Sequence, residues 1–214
     1  MEKTDHNKII KAIAKKSFIP YGIKQKGQSR SFIDDNGWYI IIIGFQPSKY
    51  GNGTYLNIGI NFNWYVKDFF SFDIGGRENN FVEYINVDQY TKEINKLCDF
   101  SIQKIIEYRN KLKKINEAEN YIINYEYTSD DLWGNYHRGI ISGIVGNKNN
   151  MNKYFNKLLN ENNNNFEWII ELMKRVKELK DIGNNNLGEY IEKIKAIIKE
   201  TRKLNRLDEI EIIL

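Results

Sequence analysis

The sequence predicts an α+β protein: an N-terminal antiparallel sheet of about five strands with flanking helices, followed by an all-helical C-terminal half. Three observations carry this reading. Between Gly37 and Trp64 the chain holds two runs dense in β-branched and aromatic residues, separated by turn formers. From about Asp88 onward, apolar residues recur at helical spacing. Pro is absent after Pro47, so the later helices are punctuated by Asn and Gly alone.

Thr4 or Asp5 suits an N-cap, and a first helix through about Lys16 carries Ile9, Ile10 and Ile13 as its stripe. Lys8, Lys11 and Lys15 share its opposite face. Pro20-Tyr21-Gly22 and Gly27 break the chain, Ser29 to Asp34 reads as a strand, and Asn36-Gly37 turns it into the next. From Trp38 to Gln46 both alternating sets are apolar, which marks a central strand covered on both faces. After the connector Pro47 to Gly53, alternation becomes strict. Leu56, Ile58, Ile60, Phe62 and Trp64 form a core face; Tyr55, Asn57, Gly59, Asn61 and Asn63 form a polar one.

Phe69 to Ile74 reads as a fourth strand stopped by Gly75-Gly76, and Asn80 to Val87 as a fifth. Asp88 suits the N-cap of a long helix with Ile94, Leu97, Cys98, Ile105 and Leu112 on its stripe. Residues 132–145 and 151–160 form a helical hairpin joined at Gly146-Asn147, and helices 166–182 and 187–203 complete the set. Asn162–Asn165 and Asn184–Asn186 punctuate them, while residues 116–127 read equally as helix or strand. The expected division is an α+β domain over 1–115 and a helical region over 116–214, either a subdomain or packed on the sheet.

A 214-residue chain with 41% hydrophobic residues has enough material for a sizeable core. No apolar run approaches the roughly 20 residues of a membrane span, and no signal-peptide pattern precedes the first helix. One cysteine, Cys98, excludes an internal disulfide framework and fits a reducing cytoplasm. The wealth of Asn, Lys, Ile and Tyr suggests an AT-rich bacterial genome. Charge is unevenly placed: residues 1–64 hold nine Lys/Arg against four Asp/Glu, and the remainder is close to neutral.

P-loop, G-x-S-x-G, H-E-x-x-H and paired C-x-x-C patterns are all missing, so no catalytic residue, metal ligand or cofactor is assigned. His137, near Asp130 and Asp131, resembles an acid–base pair; a helix-surface histidine is the preferred reading. Cys98 falls on an apolar stripe and reads as core. Gly51-Asn52-Gly53 and Gly75-Gly76 read as turns. On the polar face of the hairpin's second strand, Gly59 thins the surface between amides. Gln46, Ser48, Asn57 and Asn61 therefore form a candidate hydrogen-bonding site for a peptide or small ligand, set against a plain solvated face. Lys8, Lys11, Lys15, Lys24, Lys26, Arg30 and Lys49, with Tyr21, Tyr50 and Tyr55 among them, form a candidate nucleic-acid surface.

Gly44-Phe45-Gln46-Pro47-Ser48-Lys49-Tyr50, followed by Tyr55-Leu56-Asn57-Ile58-Gly59-Ile60, resembles the bacterial family called domain of unknown function 4304. The order of an N-terminal helix, a phenylalanine-containing first strand and this hairpin is similar as well, and the resemblance covers roughly residues 5 to 115. It implies no established activity and no catalytic residues. The expectation is a non-catalytic protein-interaction module with a protein partner, of the immunity, antitoxin or phage-defence accessory kind. Nucleic-acid binding through the basic first part is the alternative. An enzyme with a site at Asp73, Arg77 or His137 is the third reading, and oligomeric state is left open.

Overall fold

The computed structural model describes residues 5–127, 130–161 and 166–214. Thr4 and the Asn162–Asn165 tract lie outside this set, as do the side chains of Asp5, Asp130 and Asp131. The chain has an N-terminal antiparallel sheet with flanking helices and a helical C-terminal half, the fold class the sequence predicts. It divides into two compact units. One holds the residues up to Phe62 together with Phe70–Asn110; the other holds Asn63–Phe69 with Lys111–Leu214.

In the first unit, helix α1 (Asp5–Phe18) leads into the sheet strands β1 (Lys24–Gln25), β2 (Ser31–Asp35), β3 (Tyr39–Gln46), β4 (Gly53–Phe62) and β5 (Ile74–Arg77). They pair in sequence order and all antiparallel, with β6 (Val82–Glu83) pairing the start of β4. β3 is the middle strand of five, and its residues Tyr39–Ile43 are buried on both faces, as its doubly apolar sequence requires. Helix α2 (Val87–Leu112) follows. α1 and α2 cover the face of Ile41, Ile43 and Phe45. Phe18 packs edge-on against Phe32 at 5.1 Å, and Arg109 grips the nearly buried Asp34 through Nε–Oδ2 (2.8 Å) and Nη2–Oδ1 (2.6 Å). The buried line of α1 is His6, Ile10, Ala14 and Phe18, one step round from the expected Ile9/Ile10/Ile13 stripe.

Three expectations for this unit need correction. Residues 69–73 are not a strand. Residues 70–73 cross the other face of β4: the Ser71 N–H donates to Asn61 Oδ1 (3.1 Å), the Asp73 N–H to Ile60 O (2.8 Å), and Asp73 Oδ2 accepts from the Phe62 N–H (2.7 Å). Gly75-Gly76 does not stop a strand but lies inside β5. Gly75 adopts φ 86°, and a Cβ there would lie 2.5 Å from Ile58 O and 2.9 Å from Tyr108 Oη, so only glycine fits. The cap of α2 is Asn86, whose Oδ1 accepts from the Gln89 N–H (2.9 Å), while Asp88 lies in the first turn.

The second unit packs helices α3 (Ile115–Asn124), α4 (Asn135–Ile144), α5 (Lys148–Glu161), α6 (Glu167–Asn185) and α7 (Leu187–Leu204), with a five-residue π-helical turn, Asp130–Gly134, leading into α4. The ambiguous stretch is thus helical over most of its length. Glycines on α4 let neighbours approach: Gly139 faces the Phe155 ring and Gly143 the Tyr190 ring. Arg138 donates from Nε to Ile123 O (3.0 Å) and from Nη2 to Tyr125 O (2.8 Å), closing the end of α3. The Asn184–Asn186 tract does not separate helices by a loop. α6 runs through Asn185, and Asn186 caps α7 by accepting from the Glu189 N–H (3.2 Å).

Trp64 is a further correction. β4 ends at Phe62, and Trp64 belongs to the helical unit instead of extending the core face of the strand. Its Nε1–H donates to His137 Nδ1 at 2.9 Å, while its carbonyl accepts from Tyr136 Oη at 2.8 Å. Thr201 and Asn205 hold the same segment by donating to the carbonyls of Tyr65 (2.9 Å) and Lys67 (2.8 Å). His137 is therefore not on a helix surface: it is 1% exposed and acts as an acceptor inside the helical core.

Candidate functional site

In an antiparallel pair, residues directly opposite each other share a face. The register sets Gln46 opposite Tyr55, Gly44 opposite Asn57, and Asn57 opposite Arg77. The end of the β3–β4 hairpin therefore collects Gln46, Tyr55, Asn57 and Arg77 on one face, beside the loop that carries Ser48, Lys49 and Tyr50.

Contacts hold this group in place. Asn57 Nδ2 donates to Gln46 Oε1 at 3.0 Å, and Arg77 Nη2 donates to the same oxygen at 3.4 Å. The Arg77 guanidinium lies 4.1 Å over the Tyr55 ring, which in turn packs on Phe81 at 5.1 Å. A guanidinium stacked on an aromatic face loses little further freedom on binding and keeps its fork of donors. Arg77 is exposed and has no acidic partner among the described residues. The Ser48 Oγ accepts from the Tyr50 N–H (3.0 Å), an ST-turn that shapes the loop tip, and Tyr50 there is 99% exposed. Glu83, opposite Gly53, is the nearest exposed carboxylate in the strand register.

The four amide and hydroxyl positions expected to form a ligand site do not act as one open surface. Gln46 is exposed, Ser48 half-buried and Asn57 almost buried, all at the hairpin end. Asn61 lies four residues further along β4, roughly 13 Å away, fully buried under Ser71. The glycine between them has its space filled from within the chain: a Cβ on Gly59 would strike the Phe72 ring and lie 2.5 Å from Ile74 O. Gly59 serves the crossing of residues 70–74, not the approach of a ligand.

The basic residues disperse. Lys8 and Lys15 are exposed on α1 and Lys11 is half-buried there, Lys24 lies on the short β1, and Lys49 sits in the hairpin loop. Lys26 rests 3.5 Å over the Phe70 ring, and Arg30 Nη1 donates to Asn7 Oδ1 at 2.8 Å, so both have internal roles. Side chains with catalytic potential are likewise committed. Asp73 caps the turn after β4 through the Phe62 N–H and the Ser71 hydroxyl (2.7 Å), roughly 13 Å along the chain from Arg77. Burial pushes the Cys98 thiol up to about 12, out of the range where a thiolate forms. No cluster of three or more His, Cys, Asp or Glu able to hold a metal ion occurs among the described residues.

The sequence reading missed the pairing of Arg77 with Tyr55 and Gln46. Its only signal is the β4–β5 register, which depends on Gly75-Gly76 lying inside a strand. No helix among the described residues is long and apolar enough to cross a membrane. Comparison of the chain with protein-family models, with curated proteins and with solved structures returned no match.

Proposed function

We propose that this protein works by binding, not catalysis, and that the hairpin end docks an acidic surface of a protein partner. One observation carries the reading: Arg77 is exposed, stacked on Tyr55, tied to Gln46, and without a carboxylate among the described residues. An ordered guanidinium of this kind is suited to a partner's carboxylate. Tyr50, on the loop tip of the same hairpin, supplies a large exposed aromatic surface, and Tyr and Arg are the residue types that dominate binding hot spots. The basic excess of the first 64 residues favours encounter with an acidic partner. Membership of the resembled family and a cytoplasmic, bacterial setting are part of the same proposal.

A second reading, single-stranded nucleic acid, draws on one observation: the fully exposed Tyr50 next to Lys49 offers a stacking surface beside a cation. Both are tested by preparing the protein with Arg77→Ala and Tyr50→Ala, singly and together. A protein partner retained by wild type should bind each variant about 30-fold more weakly, the loss expected on removing a hot-spot side chain worth about 2 kcal/mol. Binding of oligonucleotides with a steep salt dependence, and no protein retained, would select the second reading. A protein partner bound equally by all variants would reject the site.

A further inference from the structure

A second group of side chains, independent of the hairpin end, lies where α1 and α2 begin. Arg30 follows the turn after β1, and its carbonyl accepts from the Phe45 N–H (3.0 Å). Its Nη1 is used on Asn7, a neutral amide. Among the described residues no carboxylate pairs with this guanidinium, and its Nη2 is buried without a hydrogen-bond partner.

Tyr90, in the first turn of α2, is 0% exposed, and its hydroxyl is also buried without a partner. His6 and Tyr84 wall the position, with ring centroids 6.3 Å and 5.2 Å from the Tyr90 ring. Burial and the nearby Arg30 hold His6 below its ordinary value, so it brings no charge at neutral pH. Burial pushes the Tyr90 hydroxyl up to about 12, with Arg30 opposing, so it stays a donor.

Two buried donors without acceptors, one of them cationic and without a counter-charge among the described residues, are each costly. A single anion accepting from both offsets both penalties. We propose that Arg30 and the Tyr90 hydroxyl form a receptor for a small inorganic anion of chloride size. Both donor atoms are out of contact with solvent, so the ligand must shed its hydration and enter past the half-exposed Arg30 side chain. A monovalent halide meets that requirement at lower desolvation cost than a divalent oxyanion.

The test is thermal unfolding of wild type, Tyr90→Phe and Arg30→Gln in gluconate buffer at constant ionic strength, with chloride, bromide or phosphate exchanged in. Wild type should gain a saturable rise, about 5–10 °C at a hundredfold excess of chloride over Kd, with bromide acting alike. Tyr90→Phe should melt no lower than wild type in gluconate, because removing an unpartnered buried hydroxyl carries no penalty, and should lose the chloride response. A response shared by all three proteins, a response to phosphate alone, or a Tyr90→Phe protein already destabilised in gluconate would overturn the assignment. A crystal grown in bromide should show an anomalous peak between Arg30 Nη2 and Tyr90 Oη, and its absence would also overturn it.

Discussion

Replacing Gly59 by alanine separates the two purposes that a glycine on a polar strand face can serve. If Gly59 thins the surface for a ligand, the added methyl meets open space and the fold is unaffected. The structure places that methyl against the Phe72 ring and 2.5 Å from Ile74 O, a backbone atom of the paired strand that cannot yield without parting β4 from β5. Overpacking of this kind costs about 1–3 kcal/mol, and the backbone contact puts Gly59→Ala at the upper end, about 3 kcal/mol. For a chain of this size that lowers Tm by about 6–12 °C. Gly44→Ala is the matched control: it lies on the same face, opposite Asn57, and its Cβ meets nothing within 4 Å. That change should be neutral or stabilise by about 0.5–1 kcal/mol. Calorimetric melting of the two variants reads the difference. Equal melting temperatures would refute the account of residues 70–74 as the cover of β4. Phe72→Ala should partly relieve Gly59→Ala in a double-mutant cycle, since the two groups compete for one volume.

Other outcomes follow from the same packing. Arg109→Met leaves Asp34 buried beneath α2 without its cation and should cost about 3–5 kcal/mol, whereas the double change Asp34→Leu/Arg109→Met should recover most of it, as read by urea unfolding. Trp64→Phe removes the donor to the buried His137 Nδ1 and should destabilise by about 2 kcal/mol in the same assay. Cys98 should resist a thiol reagent at pH 8 in the native protein and react fully in denaturant, because its folded thiol is held up at about 12. His6 has a folded pKa below its ordinary 6.5, so the unfolded chain takes up the proton first. Stability should be complete above 6.5, fall as pH drops from there toward the folded pKa, and level off below it; His6→Gln should flatten that slope.

The fold was legible where one physical signal dominated. β3 is apolar on both alternating sets and proved central, and the helices from α4 onward follow their stripes to within a few residues. Legibility failed where tertiary use overrode local pattern. Phe69 to Asp73 alternates like a strand, yet Ser71 and Phe72 are used in crossing β4. Gly75-Gly76 reads as a stop, yet a close approach to Ile58 and Tyr108 demands glycine inside the ladder. Trp64 continues the alternation of β4 but leaves the sheet, because its indole N–H finds His137 in the helical unit. The candidate site was half legible. Gln46 and Asn57 are where the alternation put them, but Arg77 joins them only through a register that the sequence does not reveal. Asn61 looks equivalent to Asn57 in the alternation and is separated from it by what covers each.

The central claim is that the ordered Arg77 on the hairpin face, together with Tyr50 on the hairpin's loop tip, recognises a protein partner. The most direct measurement is quantitative retention of host proteins and nucleic acid on immobilised wild type and on an Arg77→Ala/Tyr50→Ala variant of unchanged Tm. The account predicts one acidic protein held by wild type and lost from the variant, with binding weakened by added salt. The same proteins on both columns, or nucleic acid alone on wild type, would contradict it.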